Sequence, residues 1–321
     1  MAGDGRWSLE VTLQSGYDII GDVHGFAARL ETLLASMDYL KRDGTWEHPE
    51  RKAVFVGDYV DRGPENLRTC RIVMAMVEAG AAHAVMGNHD FNAVCLATPD
   101  PDQPGAFLRP HIEKNLQQAR ATRIEMENNP AEAAVVLGWL RNLPLWFEAE
   151  DLHVVHAGWS ATARAELAPF LDERGALTEA GLFRTARKGD PIRRAREYLL
   201  NGPEAKMPFG ISYQDADGHV RAEGRLAWWK AGKDDLTWRE AFVGDDVARA
   251  RIPETPLPPD LIERADLTKP VLFGHYWMQP PLALLSPFHI CVDASVAKGG
   301  RLAAYRFSGA VPLDPKRFVY A

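Results

Sequence analysis

The chain has 321 residues, 46% hydrophobic and 25% charged, with 37 Lys and Arg against 44 Asp and Glu and a formal net charge of −7. That length gives room for one large α/β domain or two smaller ones around a sizeable core. No run approaches the roughly 18 consecutive apolar residues of a membrane span, and an acidic balance without a long basic run argues against a nucleic-acid-binding surface. Residues 1–14 contain acids and no apolar segment, so they do not read as a secretory signal. Three scattered cysteines, Cys70, Cys95 and Cys291, fit a reducing compartment and argue against a disulfide framework or a thiolate zinc site. The expectation is a cytoplasmic protein.

In chain order, an apolar run at 17–20 delivers Gly21-Asp22-Val23-His24-Gly25. Residues 26–39 carry Leu30, Leu33, Leu34 and Met37 at helical spacing. The polar stretch 41–52, with Gly44 and Pro49, reads as a loop. Val54-Phe55-Val56 then reads as a buried strand ending in Gly57-Asp58, with Asp61 and Arg62 one turn of chain further on. Gly63-Pro64 opens a second helix over 67–77, since Pro is tolerated in a first helical turn. A third run, 82–86, delivers Gly87-Asn88-His89-Asp90. Strands alternating with helices in this way predict parallel βαβ units.

Residues 97–105 read as a Pro/Asp-rich loop, 111–128 as one polar helix and 130–141 as another. The stretch 109–123 is either a solvated face or a lid. A fourth run, 152–155, delivers His156-Ala157-Gly158. From Trp159 to Lys269 no metal-ligand spacing occurs. That stretch holds helix-like segments at 161–170 and 192–200, turn clusters at 201–203 and 217–218, a proline-rich tract at 253–259, and Trp228, Trp229 and Trp238. Residues 160–268 therefore read as an insertion or cap within a single catalytic domain spanning 1–321. Apolar runs return at 271–273, which delivers Gly274-His275-Tyr276, and at 289–292 and 302–307. These are expected to build a second sheet layer.

Five short runs thus end in Gly or a small residue beside Asp, Asn or His, and carboxyl ends of strands are where α/β sheets bind ligands. Asp22, His24, Asp58, Asn88, His156 and His275 offer oxygen and imidazole donors without a thiolate. Such a set suits Mn, Fe, Zn or a similar divalent ion, and calcium less well. Two ions about 3.5–4 Å apart would activate water and clamp a phosphoryl oxygen, and Asp58, in the middle of the set, is the natural bridge. His89 is free to protonate a leaving oxygen, with Asp61 fixing its tautomer, and Arg62 offers a planar fork for phosphate oxygens. His83, His111, His153, His219 and His289 read as structural histidines.

Taken in order, Gly21-Asp-Val-His-Gly25, Gly57-Asp-Tyr-Val-Asp-Arg-Gly63, Gly87-Asn-His-Asp90, His156-Ala-Gly158 and Gly274-His275 resemble the motif set of calcineurin-like metallophosphoesterases. Within these, the chain resembles the phosphoprotein-phosphatase (PPP) branch and its bacterial relatives, including the symmetric diadenosine-tetraphosphate hydrolases. The resemblance covers about 17–307 except 160–266, and implies a β-sandwich flanked by helices, an α/β (α+β) fold. It implies a first metal on Asp22, His24 and Asp58, and a second on Asp58, Asn88, His156 and His275. His89 would be the general acid oriented by Asp61, with Arg62 and Asn88 on the phosphate.

Trp277 stands where broader relatives often place the last His of Gly-His-x-His, which favours the PPP-like branch. Gly-Asn-His-Asp, in place of Gly-Asn-His-Glu, is the bacterial form. Leu137-Gly-Trp-Leu-Arg-Asn-Leu-Pro-Leu145 looks similar to the tetraphosphate hydrolases, whereas Asp58-Tyr-Val-Asp-Arg-Gly63 sits closer to protein phosphatases, because many of those hydrolases lack the acid at Asp61. The expected activity is phosphomonoester hydrolysis, protein phosphatase-like, by direct attack of a metal-bridging hydroxide. The alternative is symmetric cleavage of a dinucleoside tetraphosphate. The expected partner is a phosphorylated substrate, with neither nucleic acid nor membrane. Arg225 and Arg239 are candidates for a second phosphate-binding arginine. Trp159, Trp228, Trp229 and Trp277 either stack a base or pack the insertion onto the body.

Overall fold

A computed structural model describes residues 16–214, 220–264, 268–309 and 311–321. The readings of residues 1–14, of the turn at 217–218 and of His219 lie outside these. Two sheets form the body. The first has five strands in the order Phe318–Tyr320, Ala303–Phe307, Gly16–Ile20, Arg51–Phe55, Ala82–Ala84. Its last three strands run parallel, as the alternation of strands and helices predicts. The second sheet has four, in the order His289–Cys291, Val271–Phe273, His153–Val155, Trp146–Glu148.

Side chains alternate across each strand, and the two faces go to different cores. Ile19, Val54 and Phe307 of the first sheet meet Val154, Leu272 and Ile290 of the second in one fully buried cluster. Their neighbours Ile20, Ala53 and Phe55 face outward onto the helices Ala27–Ser36 and Asn66–Glu78, against Leu30, Leu33 and Val73. This is a sandwich flanked by helices. The inner strands Arg51–Phe55, Val271–Phe273 and Ala303–Phe307 are buried on both faces, which explains their near-continuous apolar runs.

The structure departs from the sequence reading at several elements. Ala303–Phe307 belongs to the first sheet, where it pairs antiparallel with Gly16–Ile20. It is therefore not part of the second layer with Val271–Phe273 and His289–Cys291. An apolar run does not encode its pairing partner. Part of the expected loop at 41–52 is a hairpin, Leu40–Arg42 against Thr45–Glu47, and its end is strand. Arg51 opens that strand because its buried guanidinium binds Asp18 at 2.8 Å and the carbonyls of Tyr17 and Phe307. The expected 111–128 helix is two, Glu113–Gln118 and Arg120–Asn128. Two further helices, Asn88–Ala97 and Glu179–Ala186, were not predicted.

Between 160 and 268 the described residues form helices Ala161–Leu167, Glu179–Ala186 and Pro191–Asn201, and an antiparallel sheet ordered Phe242–Val243, Glu223–Leu226, Glu204–Lys206. Trp228 fastens this segment to the sandwich. Its ring packs 4.9 Å from that of Phe273, and its indole N–H donates to the Ala157 carbonyl at 2.8 Å. Among the described residues no helix is long and apolar enough to cross a membrane.

Candidate active site

All five strand-tip turns converge. The Nε2 atoms of His24 and His156 each lie 3.5 Å from Oδ2 of Asp58. Oδ1 of Asn88 lies 3.0 Å from His156 Nε2 and 2.9 Å from His275 Nδ1. The backbone N–H of His275 donates to both oxygens of Asp22 at 3.1–3.2 Å. The six residues read as metal ligands are thus one connected, buried network.

Two groups of potential ligand atoms stand out among the described residues, each within 4.8 Å: His24, Asp58 and His89, and Asp58, His156 and His275. They share Asp58, and the first holds His89 where the sequence reading had Asp22. Asp22 belongs to neither group. It lies beneath them against His275, and burial together with Asp293 and Asp58 pushes its carboxyl well up.

Backbone conformation makes the convergence possible. His24, Asp58, Asp61, Arg62 and His275 all adopt left-handed backbone angles, with φ of 47, 56, 70, 77 and 72°. For non-glycine residues such angles cost about 1–3 kcal/mol each and cluster at functional sites. Two glycines are dictated by crowding. A Cβ on Gly274 would lie 1.9 Å from Asp22 Oδ1, and one on Gly87 2.2 Å from both the backbone N and Oδ1 of Asp58.

Asp90, which was given no role from the sequence, ties the second and third turns together. Its carboxylate accepts from the N–H groups of Gly87, Asp58 and Tyr59 at 2.8–2.9 Å. Its signal was its place as N3 of a helix that itself went unpredicted.

The histidine tautomers suit metal ligation. His24 donates Nδ1–H to the Val60 carbonyl at 3.1 Å, and His156 to that of Val56 at 2.8 Å, which leaves each Nε2 lone pair facing the centre. Burial holds His24 down at about 4 and lowers His156, while burial and then Arg225 hold His275 far below its usual range. For Asp58 burial opposes ionisation, but His156, His89 and His24 outweigh it and keep the carboxylate charged. Nε2 of His24 and of His275 are buried without a hydrogen-bond partner, a costly arrangement in the absence of a cation. The residues fit a pair of divalent ions.

His89 stands beside this centre. Its Nδ1 meets Asp61 Oδ2 at 2.6 Å, and the Thr122 hydroxyl donates to the other Asp61 oxygen at 2.6 Å while accepting the Asp61 backbone N–H at 2.9 Å. Thr122 lies on Arg120–Asn128, so this part of 109–123 is support for the site rather than a solvated face. Nothing in a sequence pairs a mid-helix threonine with an acid 61 residues away. Arg62 is exposed, and its guanidinium lies 5.5 Å over the Trp277 ring.

Of the arginine candidates, Arg225 lines the same cleft and its charge reaches His275 and His156. Arg239 is engaged with the Ile252 carbonyl and Glu254 and does not line the cleft. Among the tryptophans, Trp159 and Trp228 are packing residues, and Trp229 packs against Phe273 and Tyr276. Trp277 alone of the four lines the cleft, with the Lys298 ammonium 3.6 Å over its ring.

Residues 17–192 match the model of the calcineurin-like phosphoesterases. A symmetrical bis(5'-nucleosyl)-tetraphosphatase of Janthinobacterium sp. is 31% identical over 92% of this chain and 94% of its own length. An asymmetrical bis(5'-nucleosyl)-tetraphosphatase, PrpE, of Oceanobacillus iheyensis is 32% identical over 44% of this chain; the match spans only 55% of that relative. Among solved structures, a cold-active protein-tyrosine phosphatase of a psychrophilic Shewanella sp. is 20% identical over 92% of this chain and 79% of that one, with a TM-score of 0.45. These matches place the chain among the phosphoesterases. The chain belongs to the calcineurin-like phosphoesterase family.

Proposed function

We propose that this enzyme cleaves a phosphoanhydride in a dinucleoside polyphosphate, the reaction class named for its relatives, with residues 160–268 serving as a cap that supplies one wall of the substrate cleft. The observation that carries this reading is the charge of the cleft. It encloses about 1870 Å³ beside Asp58, Asn88, His89 and His275, and among the described residues ten Arg and Lys side chains line it against six Asp and Glu. The whole chain has the opposite balance, 37 against 44. A positive cleft in a negative protein selects a large anion.

In this reading Asp22, His24 and Asp58 would hold one divalent ion, and Asp58, Asn88, His156 and His275 the other. Manganese is the first candidate, with iron or zinc behind it. Such a pair supplies a nucleophilic water and charge neutralisation at phosphorus. The chain's own residues do the rest. Arg62, held over Trp277, binds the oxygens of the phosphate under attack. Asn88 orients that phosphate through its amide. His89, with Nδ1–H on Asp61, presents Nε2 to the leaving oxygen and gives it a proton. The protein acts in the cytoplasm.

Phosphomonoester hydrolysis remains a second reading because of the Thr122–Asp61–His89 chain. A positioned acid matters most when the leaving group is a poorly stabilised alkoxide, as on a phosphoserine or phosphothreonine. Turnover of dinucleoside tetraphosphate, phosphopeptide and aryl phosphate, each with added manganese, decides between them. A kcat/KM for the tetraphosphate at least tenfold above that for the phosphopeptide is expected, and the reverse order replaces the first reading by the second.

A further inference from the structure

The helix Asn88–Ala97 begins at the candidate metal centre and runs along the floor of the cleft, carrying Phe91, Asn92 and Cys95 into its lining. Three arginines gather over it. The Arg196 guanidinium stacks 4.4 Å from the centre of the Phe91 ring. Arg109 donates to Asn92 Oδ1 at 2.8 Å and to Gln118 Oε1 at 2.9 Å. Arg193, one turn before Arg196 on the helix Pro191–Asn201, lines the same cleft.

Their charges are under-compensated. Arg109 has neutral amides for partners. Glu197 binds Arg193 at 2.7 Å and reaches Arg196 at 3.5 Å, so among the described residues three guanidinium groups face one carboxylate. Arg196 is only 6% exposed, its two hydrogen bonds to Asn201 and the Thr185 carbonyl are long at 3.2–3.3 Å, and its Nε has no partner. Burial and the neighbouring arginines act against its charge, pulling it down to about 10, and burial lowers Arg109 as well. A buried cation with an unmet N–H destabilises a protein unless an anion completes it. Phe91 and Asn92 lie about one helical turn from Asn88 and His89, roughly 5 Å along the axis, a distance that adjoining phosphates of one chain can bridge.

We propose that Arg109, Arg193 and Arg196 form a second phosphate site in the cleft, which binds a phosphate of the substrate other than the one under attack. This rests on the reading of the substrate as a polyphosphate, and it assigns where the uncleaved part of that chain lies. The guanidinium forks match phosphate oxygens two at a time.

The test uses aryl phosphate turnover with manganese in excess, and two inhibitors: orthophosphate, which reports on the cleavage centre, and tripolyphosphate, which spans both sites. In the wild type tripolyphosphate should inhibit at lower concentration. Arg109→Gln and Arg193→Gln should each raise its inhibition constant about ten- to a hundredfold, as loss of a charge-assisted contact predicts, and shift that of orthophosphate far less. A parallel rise of both constants would make these arginines general supports of the cleft, and an unchanged tripolyphosphate constant would remove the site; either overturns the proposal. Arg193 is about one-third exposed, so its variant carries the test if Arg109→Gln prevents folding. If the wild type ignores dinucleoside tetraphosphate while the tripolyphosphate discrimination persists, the substrate reading fails and the second phosphate site stands.

Discussion

The two walls of the cleft are built on different principles. The sandwich wall holds Asp22, His24, Asp58, Asn88, His156 and His275, all less than a tenth exposed, on turns whose backbone angles leave each side chain little choice of position. The facing wall, from the helix Pro191–Asn201 and the strands near 204–226, presents Arg193, Arg194, Lys206 and Arg225 on long, partly solvated stems. Chemistry at phosphorus needs donors fixed before the substrate arrives, since reorganisation during the reaction would cost rate. Holding a polyanion needs charge and reach, which flexible side chains provide. Strain and burial therefore concentrate on one wall, and net charge on the other.

The largest effect that would test this division is at Asp58. Asp58→Asn replaces the shared carboxylate by a poor bridge, and should lower metal content at both positions and activity by about 10³-fold or more. Elemental analysis of the purified variant that still finds two metals per chain would take Asp58 out of the bridging role.

At His89 the expected loss depends on the substrate. His89→Ala should slow substrates with poor leaving groups by about 10²–10⁴-fold and an activated aryl phosphate much less. A loss independent of leaving-group pKa would mean that His89 serves the wall's geometry, not proton transfer.

The seam between the walls can be probed through stability. His289 is buried with its ring 4.9 Å from that of Trp228, and burial lowers it from 6.5 to about 4. Because its folded pKa is depressed, it is neutral above pH 6.5 and favours folding there. That contribution is lost as pH falls from 6.5 toward 4, where the unfolded chain binds the proton first. A shift of this size is worth about 3 kcal/mol. Denaturant titrations of wild type and His289→Gln at pH 7 and pH 4.5 should show a smaller pH-dependent drop for the variant; equal drops would show that the seam does not depend on a neutral His289.

The smallest effect belongs to Thr122→Val, which removes both hydrogen bonds to Asp61 but leaves the Asp61–His89 contact. A loss of about tenfold in kcat on an alkyl phosphate follows from one or two hydrogen bonds, with little change in KM. A change in KM alone would place Thr122 in binding rather than in holding the acid.

Much of the sandwich wall was legible in the sequence because each of its five motifs is local. A short apolar run followed by Gly, Asp, Asn or His specifies a buried strand, a tight turn and a candidate ligand within about eight residues, and the candidates Asp22, Asp58, Asn88, His156 and His275 follow from repeating that pattern. Helices such as Pro130–Arg141 were legible for the same reason, from a proline at the start and a regular apolar stripe. What only the tertiary structure decided are relations between distant segments. Ala303–Phe307 joins the first sheet because Tyr17 and Ile19 face Phe307 and Tyr305, which no periodicity reveals. Thr122 supports Asp61 across 61 residues, Asp90 locks two turns together, and Arg109 and Arg196 reach the same helix at Asn92 and Phe91. The sequence left Trp228 either stacking a base or packing the insertion, and the fold makes it a core residue, with its ring on Phe273 and its indole N–H on the Ala157 carbonyl. Local chemistry is written in local order, whereas support, pairing and charge clustering depend on where the folded backbone brings side chains together.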